Sequence, residues 1–311
     1  MKTALARLLE HLELDPQALD VAESPFPFKA HADFIDQIQP GNPDDPLLKQ
    51  ILPIRAETFV HPGFKLDPVG DLQANPLPSL IHKYHGRVLL MASPRCDIHC
   101  RYCFRRHFPY ETQINQRHWQ QALQQIGEDD SLHEVILSGG DPFTLSENAL
   151  LDLVKKIEAI PHIQTLRIHS RTPIVAPSNA PQGRFLEWAK CSRLNKVLVV
   201  HCNHPNELSA KTAELMQHYR TAGFHLLNQS VLLKGVNDNA ETLADLSQQL
   251  FTQGILPYYL HQLDRVQGAA HFEVDNATAK SLVENLRRLL PGYLVPKLVV
   301  EIAGEPHKTP L

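Results

Sequence analysis

The chain has 311 residues, of which 43% are hydrophobic and 21% are charged, and its formal net charge at pH 7 is −4. These values are typical of a soluble globular protein with one large α/β domain or two smaller ones. They exclude a strongly basic nucleic-acid-binding protein, and no apolar run is long enough to span a bilayer. The N-terminus lacks the apolar segment of a secretory signal, so we predict a cytoplasmic protein without direct contact to nucleic acid or membrane.

Residues 1–80 form a predicted N-terminal extension. Residues 5–12 have helical periodicity, and prolines become frequent after them. We predict a few helices and extended loops that pack on a larger body, and we assign the catalytic core to residues 81–311.

From about Arg87 onward, short apolar runs alternate with amphipathic patterns. The predicted strands are Val88–Ala92, Glu134–Leu137, Thr165–Ile168, Lys196–Val200, His225–Leu227, Leu256–Leu260 and Lys297–Val300. The predicted helices between them are His118–Ile126, Glu147–Ala159, Arg184–Lys190, Glu207–Thr221, Ala240–Gln253 and Ala277–Leu290. This alternation predicts βαβ units and a parallel sheet, either doubly wound or closed into a barrel.

Polar residues follow nearly every predicted strand, as in Ser138–Asp141, His201–His204, Asn228–Ser230 and His261–Asp264. A barrel gathers all strand C-termini at one mouth, whereas an open sheet concentrates its site at one switch point. We therefore predict a full or partial (β/α) barrel of the TIM type, with a cysteine-containing loop after its first strand.

That loop carries Cys96, Cys100 and Cys103 in the spacing C-x-x-x-C-x-x-C. Three thiolates leave one iron of a cubane cluster open for chemistry. A structural zinc site would need a fourth ligand from His99, His107, Cys191 or Cys202. The spacing also suits one face of a core helix. The flanking Arg and His residues favour the iron–sulfur cluster.

The loop resembles the signature of the radical S-adenosylmethionine (SAM) enzymes, C-x-x-x-C-x-Φ-C, in which Φ is aromatic. Tyr102 occupies the aromatic position. The resemblance implies a partial TIM-type barrel, a 4Fe–4S cluster on Cys96, Cys100 and Cys103, and SAM bound to the free iron. In that superfamily, an electron from the cluster cleaves SAM to a 5′-deoxyadenosyl radical.

Ser138, Gly139, Gly140 and Asp141, at the end of the second predicted strand, are similar to the glycine-rich motif that binds SAM in this superfamily. Glycines let the backbone approach a ligand closely, and a carboxylate accepts hydrogen bonds from an ammonium group. We therefore predict that these four residues contact SAM.

Residues from about 80 to 310 resemble the lysine 2,3-aminomutase family. The matching segments are Arg87–Leu90, Cys96–Arg106, Leu137–Asp141, Ser170–Pro173, Asn203–Glu207, Asn228–Asp238 and the final loop, Gly304–Pro310. The resemblance implies a second cofactor, pyridoxal 5′-phosphate (PLP), bound as an aldimine by Lys308 with its phosphate near Arg87.

The same resemblance places Arg105 at the substrate carboxylate and Asp264 at the distant ammonium of substrate lysine. Glu301 stands where the family usually has a second aspartate for that ammonium, so selectivity for lysine is less strictly defined by sequence. Two acids favour a basic substrate over an acidic one. His201 and Gln229, at predicted strand ends, are candidate SAM or PLP contacts.

The predicted reaction is the conversion of L-lysine to β-lysine by 1,2-amino migration, with electrons from a donor such as flavodoxin or ferredoxin. The sequence stops three residues after Lys308, without the C-terminal extension of the catabolic enzymes. This resembles the branch that supplies (R)-β-lysine for modification of translation elongation factor P, in a functional link with that factor and its lysyl-transferring enzyme.

Two alternatives remain open at this point. One is a catabolic aminomutase, or an aminomutase acting on another amino acid. The other is a zinc-stabilised RNA-binding module that uses Arg101, Arg105 and Arg106 as a basic patch.

Overall fold

The computed structural model describes residues 3–311, without the side chain of Gln116; Met1 and Lys2, the start of the predicted extension, lie outside the described residues. One nine-stranded sheet follows the sequence order. Its strands are β1 Leu80–Tyr84, β2 Arg87–Ser93, β3 Glu134–Gly139, β4 Thr165–Ser170, β5 Asn195–His201, β6 Phe224–Val231, β7 Leu256–His261, β8 Lys297–Val300 and β9 Thr309–Pro310.

The seven strands β2–β8 are parallel, while β1 and β9 pair antiparallel with β2 and β8 at the two edges. Within the described residues the two edges do not pair with each other, so the sheet is not closed. The fold prediction is therefore confirmed in its partial form: a mixed α/β protein with an open (β/α) barrel.

Among residues 3–311, the helices after β2 lie between the parallel strands, as the alternation predicts, and the first three helices precede β1. Their bounds are α1 Ala4–His11, α2 Ala32–Ile35, α3 Pro46–Lys49, α4 Tyr110–Gln113, α5 Gln116–Glu128, α6 Glu147–Glu158, α7 Thr172–Val175, α8 Gly183–Cys191, α9 Ala210–Thr221, α10 Ala240–Thr252 and α11 Asn276–Leu289. Short polar side chains begin several of them: Ser146, Ser209, Asn239 and Asp275 each accept a hydrogen bond from a backbone N–H of the first turn. Six 3₁₀ turns complete the list: Arg55–Thr58, Pro142–Thr144, Pro177–Asn179, Pro205–Glu207, Ala270–Phe272 and Gly292–Leu294.

Strands β1 and β9 lie outside the predicted set. β1 turns into β2 through Gly86, whose φ of +73° a residue with a side chain rarely adopts. β9 has only two residues, which are held by pairing Thr309 with Val300 and Pro310 with Val299. This pairing fixes the chain directly after Lys308 at the C-terminal end of β8.

The described part of the N-terminal extension shares its core with the barrel strands. Leu8, Leu12, Phe34 and Leu47 belong to the same buried cluster as Leu90 of β2. Burial of such side chains favours folding by roughly 1.5–3 kcal/mol each. The packing brings polar residues of this segment to the C-terminal ends of the strands. Across residues 3–311, no helix has the length and hydrophobicity needed to cross a bilayer.

Candidate active site at the barrel mouth

The three loop cysteines follow β2 and come close to one another. Burial raises the pKa of the Cys96 thiol well above its usual range, and the nearby Asp141, Cys103 and Cys100 raise it further. Burial and then Cys100 raise the pKa of Cys103 to about 11. Three neighbouring thiols are a donor set that an iron cluster takes up, because the metal stabilises the thiolates.

The residues proposed as a fourth zinc ligand point elsewhere. Nδ1 of His99 lies 2.8 Å from the carbonyl of Pro27, and Nε2 of His107 lies 3.1 Å from that of Gln267. Cys202 is buried and donates to the carbonyl of His204, and Cys191 is exposed on α8. In residues 3–311, no three His, Cys, Asp or Glu side chains enclose a metal ion as they stand. A four-ligand zinc site is therefore not assembled among the described residues.

The glycine-rich turn after β3 is seated against the start of the cysteine loop. The amide of Gly140 donates to the carbonyl of Ser93 at 2.7 Å, and that of Asp141 donates to the carbonyl of Arg95 at 2.7 Å. A Cβ on Gly140 would lie 2.5 Å from the Arg95 oxygen, and one on Gly139, at φ +120°, would lie 2.7 Å from the Ser93 oxygen. Only glycine permits this approach, so the turn sets the position of the loop.

Asp141 is engaged within the protein. Its carboxylate accepts hydrogen bonds from the Ser170 hydroxyl at 2.7 Å and from the amides of Arg171, Thr172 and Phe143 at 2.7, 2.9 and 3.0 Å. Burial raises its pKa although these hydrogen bonds oppose the rise. Asp141 therefore ties the end of β3 to the end of β4, a role that the prediction of an ammonium acceptor did not include.

Tyr102 packs inside the mouth rather than at the surface. Its ring stacks on His201 with centroids 5.7 Å apart, and its hydroxyl lies 3.0 Å from His201 Nε2. Burial lowers the pKa of His201 well below its usual range, so the imidazole is neutral. Gln229 on β6 is the register partner of His201 on β5 and is half-buried. The structure thus brings these three predicted cofactor contacts to one side of the mouth.

A line of alternating charges crosses the other side of the mouth. The Lys308 ammonium contacts one oxygen of Glu301, whose other oxygen lies 2.8 Å from Lys83 Nζ. Lys83 pairs with Asp71 at 2.6 Å, and Asp71 accepts from Arg105 Nε at 2.7 Å. The line ends where Arg105 Nη1 donates to Oγ of the predicted site residue Ser138, at 3.1 Å.

Two acids near Lys308 have opposite electrostatic environments. Burial alone raises the pKa of Glu301, but the ammonium groups of Lys308 and Lys83 outweigh it and lower the pKa to about 2. Burial and then the charge of Glu301 raise the pKa of Asp264 to about 7, against the weaker pull of Lys308. Among residues 3–311, no cation forms an ion pair with Asp264, and an incoming ammonium group would complete this environment.

Arg87 opens β2 and lies beside Tyr84, whose side chain is close to Glu301. Its Cζ lies 4.8 Å from the ring centroid of Tyr84, and burial followed by the charge of Glu301 raises the pKa of that tyrosine. His169 on β4 is buried nearby, and its Nε2 has no hydrogen-bond partner among the described residues. Burial and cations that include Lys308 and Arg105 lower its pKa well below the usual range. An unpartnered buried nitrogen fits a site that is completed by a ligand.

The basic patch of the RNA-binding alternative is contradicted by the structure. Arg101 is fully buried, and Arg101 and Arg106 both pair with Glu57, at 2.5 and 2.7 Å. Arg105 is 9% exposed and pairs with Asp71. Buried, paired guanidinium groups do not form a surface for phosphates.

Comparisons with known proteins agree with this geometry. A protein family described as a 4Fe-4S single cluster domain matches residues 85–171. The L-lysine 2,3-aminomutase of Escherichia coli is 50% identical over 93% of this chain and 84% of its own length. The L-lysine 2,3-aminomutase of Haemophilus influenzae is 46% identical over 98% of this chain and 90% of its own length. The chain belongs to the L-lysine 2,3-aminomutase family.

As a member of the L-lysine 2,3-aminomutase family, the protein is an enzyme of the isomerase class, and the predicted enzyme class is confirmed. Membership also confirms, at the level of the family, the predicted cofactors: a 4Fe–4S cluster, SAM and PLP. A more distant likeness is the crystal structure of a radical SAM methyltransferase from Sphaerobacter thermophilus, which is 15% identical over 71% of this chain and 68% of its own, with a TM-score of 0.49.

The sequence prediction did not include several polar residues that line the barrel mouth. Gln50 and Asp71 come from the N-terminal extension, where no pattern distinguishes them from surface residues. Lys83 lies on the unpredicted strand β1. Arg171 and Glu207 form a buried ion pair at 2.9 Å. Both lie in segments that resemble the family, so their position after predicted strands was the available signal.

Proposed function

We propose that this protein is a lysine 2,3-aminomutase that converts L-lysine to β-lysine. The observation that carries the proposal is that Lys308, Asp264 and Arg105 surround the same mouth as the three cysteines, as their shared charged neighbours indicate. The ammonium end of a diamino acid needs an acid that has no ion-pair partner in the described part of the chain, such as Asp264, and its carboxylate end needs an arginine, such as Arg105.

We assign the cluster to Cys96, Cys100 and Cys103, with Tyr102, His201, Gln229 and the glycine turn around SAM. The support is the close approach of Gly139 and Gly140 to Ser93 and Arg95, which fixes the start of the cysteine loop beside the end of β3. When bound, the cluster and SAM supply the radical that starts the reaction, and PLP carries the migrating amino group.

We assign the covalent attachment of PLP to Nζ of Lys308. The ion pair with Glu301 and the short β8–β9 pairing hold this side chain at the mouth. Arg87 would neutralise the PLP phosphate, supported by its place beside Tyr84, which is itself close to Glu301. The unpartnered Nε2 of His169 is available to a polar atom of this ligand.

We assign the substrate carboxylate to Arg105 and the distant ammonium to Asp264. Arg105 uses Nε for Asp71 and Nη1 for Ser138, so its position is fixed while the outer edge of the guanidinium remains available. Glu301 is already shared between two cations, and we propose that it assists Asp264 only after Lys308 has reacted.

The decisive experiment is anaerobic incubation of the purified protein with L-lysine, SAM, PLP and dithionite, followed by chromatography for β-lysine. The matched control is the Cys103→Ala variant, which we expect to make none. L-glutamate is a second substrate control, since two acids at the mouth disfavour its side chain. A brown, iron-containing protein that forms β-lysine supports the proposal; a colourless, zinc-only protein contradicts it.

We further propose that the product is (R)-β-lysine for modification of elongation factor P, with reducing electrons from flavodoxin or ferredoxin in the cytoplasm. The support is the family resemblance, together with five free cysteines, which suit a reducing compartment. Chiral chromatography of the product, and the mass of elongation factor P after incubation with its lysyl-transferring enzyme and this product, test the role. A racemic product or an unmodified factor would contradict it, and the catabolic role would then be favoured.

A further inference from the structure

Arg171 touches the cysteine loop from the end of β4, two strands away from β2 in the sheet. It follows β4 and is 8% exposed. Its Nη1 donates to Sγ of Cys100 at 2.7 Å and to the hydroxyl of Tyr102 at 2.5 Å. Within residues 3–311, the bond from Arg171 to Cys100 is the one hydrogen bond between a guanidinium group and a sulfur of the three loop cysteines.

The guanidinium is fixed in place by buried partners. Its Nη2 donates to Glu207 Oε2 at 2.9 Å and to Gln50 Oε1 at 2.7 Å. Glu207 in turn accepts from Gln50 Nε2 at 3.0 Å and from the amide of Asn203 at 3.0 Å. Glu207 is fully buried, so the pair is shielded from solvent and from salt. Arg171 therefore cannot turn away from Cys100 without breaking several buried hydrogen bonds.

The other cations near the loop are directed elsewhere. Arg101 and Arg106 donate to Glu57 and to backbone carbonyls, and Lys29 donates to the carbonyl of Cys96 rather than to its sulfur. Arg171 is thus placed differently from its neighbours: it is a cation whose N–H points at a cluster-binding thiol.

We propose that Arg171 sets the reduction potential of the cluster through its hydrogen bond to Cys100. A donor and a positive charge at a ligand sulfur stabilise the reduced cluster, which carries one more negative charge, and so raise the potential. Arg171 is a positioning residue that acts through Cys100. The inference rests on the proposed function, because it requires the cluster to bind at Cys100.

The test is an anaerobic redox titration of the reconstituted protein without SAM, followed by electron paramagnetic resonance of the reduced cluster. We expect Arg171→Gln to raise the oxidised-to-reduced ratio at a fixed potential about tenfold, which for one electron is a midpoint lower by about 59 mV. Arg171→Lys keeps the positive charge but loses the planar guanidinium group, so it should lower the midpoint potential by less. Iron content is measured in each variant.

The matched control is Arg167→Gln. Arg167 lies on β4, the strand that Arg171 follows, and it forms a partly buried ion pair with Glu134 at the start of β3. We expect this variant to keep the wild-type midpoint, which separates the contact with Cys100 from the general loss of an Arg–Glu pair.

Glu207→Gln should shift the midpoint potential of the cluster in the opposite direction. It leaves Arg171 without its compensating anion, so the midpoint should rise, and this variant decides the question where Arg171→Gln fails to bind iron. A wild-type midpoint in either iron-loaded variant overturns the inference. Weaker SAM binding in Arg171→Gln with an unchanged midpoint also overturns it and reassigns Arg171 to SAM. A wild-type protein that binds no iron overturns the proposed function itself.

Discussion

The two sides of the barrel mouth differ in how their polar groups are satisfied. The cluster half, which contains the cysteine loop, the glycine turn and Arg171, is held by bonds within the chain, such as the four that Asp141 accepts. The amine half contains Lys308, Glu301, Asp264 and the charged line to Arg105. There, Asp264 has a pKa raised to about 7 by burial, and His169 Nε2 has no described partner. The chain thus positions one half before any ligand binds and leaves groups of the other half to be completed by ligands.

The largest expected effect is the loss of PLP attachment without loss of iron, which would show that the two halves bind different cofactors. Lys308→Ala should abolish the PLP adduct that borohydride reduces, because the one attachment nitrogen that we assign is removed, while iron content stays at the wild-type level. The control is Lys297→Ala, an exposed lysine on β8, which should keep the adduct. Mass spectrometry of reduced peptides measures both. An adduct that persists in Lys308→Ala would show that the assignment is wrong.

Arg105 lies where the two halves meet. Arg105→Lys keeps a cation beside Asp71 but loses bidentate recognition of a carboxylate, so the KM for lysine should rise by about 10–100-fold. Iron content should not change, because the side-chain hydrogen bonds of Arg105 go to Asp71 and Ser138, and Arg105→Lys retains the backbone amide that faces Cys103. Steady-state kinetics on iron-matched samples measure this effect. An unchanged KM would remove Arg105 from the substrate site.

A substitution in the glycine turn should damage the cluster half alone. In Gly140→Ala, the new Cβ would lie 2.5 Å from the carbonyl oxygen of Arg95. Overpacking of this kind costs about 1–3 kcal/mol of the free energy of unfolding, and the displaced cysteine loop should bind less iron. The PLP adduct on Lys308 should remain. Gly127→Ala on α5 is the control, because no atom lies within 4 Å of its Cβ. Loss of the adduct along with the iron would argue against two separable halves.

The smallest expected effect is a pH-dependent stability at Asp264. Its pKa is raised from 3.8 to about 7, so the folded protein holds a proton that the unfolded chain releases as the pH rises. This acid therefore lowers the free energy of unfolding progressively between about pH 4 and pH 7. Asp264→Asn should be more stable than wild type by on the order of 1–2 kcal/mol at pH 8, with little difference at pH 4.

Urea unfolding at the two pH values measures this difference, with the exposed Asp245→Asn on α10 as the control that should change stability by less than about 0.5 kcal/mol. Equal stability of Asp264→Asn and wild type at pH 8 would show that a cation of the folded protein stabilises the Asp264 carboxylate.

Much of the fold followed from local pattern. The parallel strands β2–β8 were predicted because buried strands and amphipathic helices differ in period, and each prediction overlaps its strand. The edge strands were not predicted, because β1 has a mixed burial pattern and β9 has only two residues. Their formation depends on pairing with a neighbour that is already in place.

The prediction of the site had the same limit. Cys96, Cys100, Cys103 and Lys308 lie in short motifs whose spacing is visible along the chain. Asp71 and Gln50 lie in the proline-rich extension, and they reach Arg105 and Arg171 only after long-range packing. No local pattern encodes which buried cation an anion meets, because that pairing is set by the whole core.

The sequence by itself determined the alternating strands and helices, the three thiols and the glycine turn, because each depends on residue type and local spacing. The role expected for Lys308 came from the resemblance to the family. Only the tertiary structure decided which charges meet. It pairs Glu301 with both Lys83 and Lys308, and it leaves Asp264 as an acid with a pKa of about 7. The physical reason is that pKa and pairing depend on burial and on distance between charges, and both are properties of the folded chain.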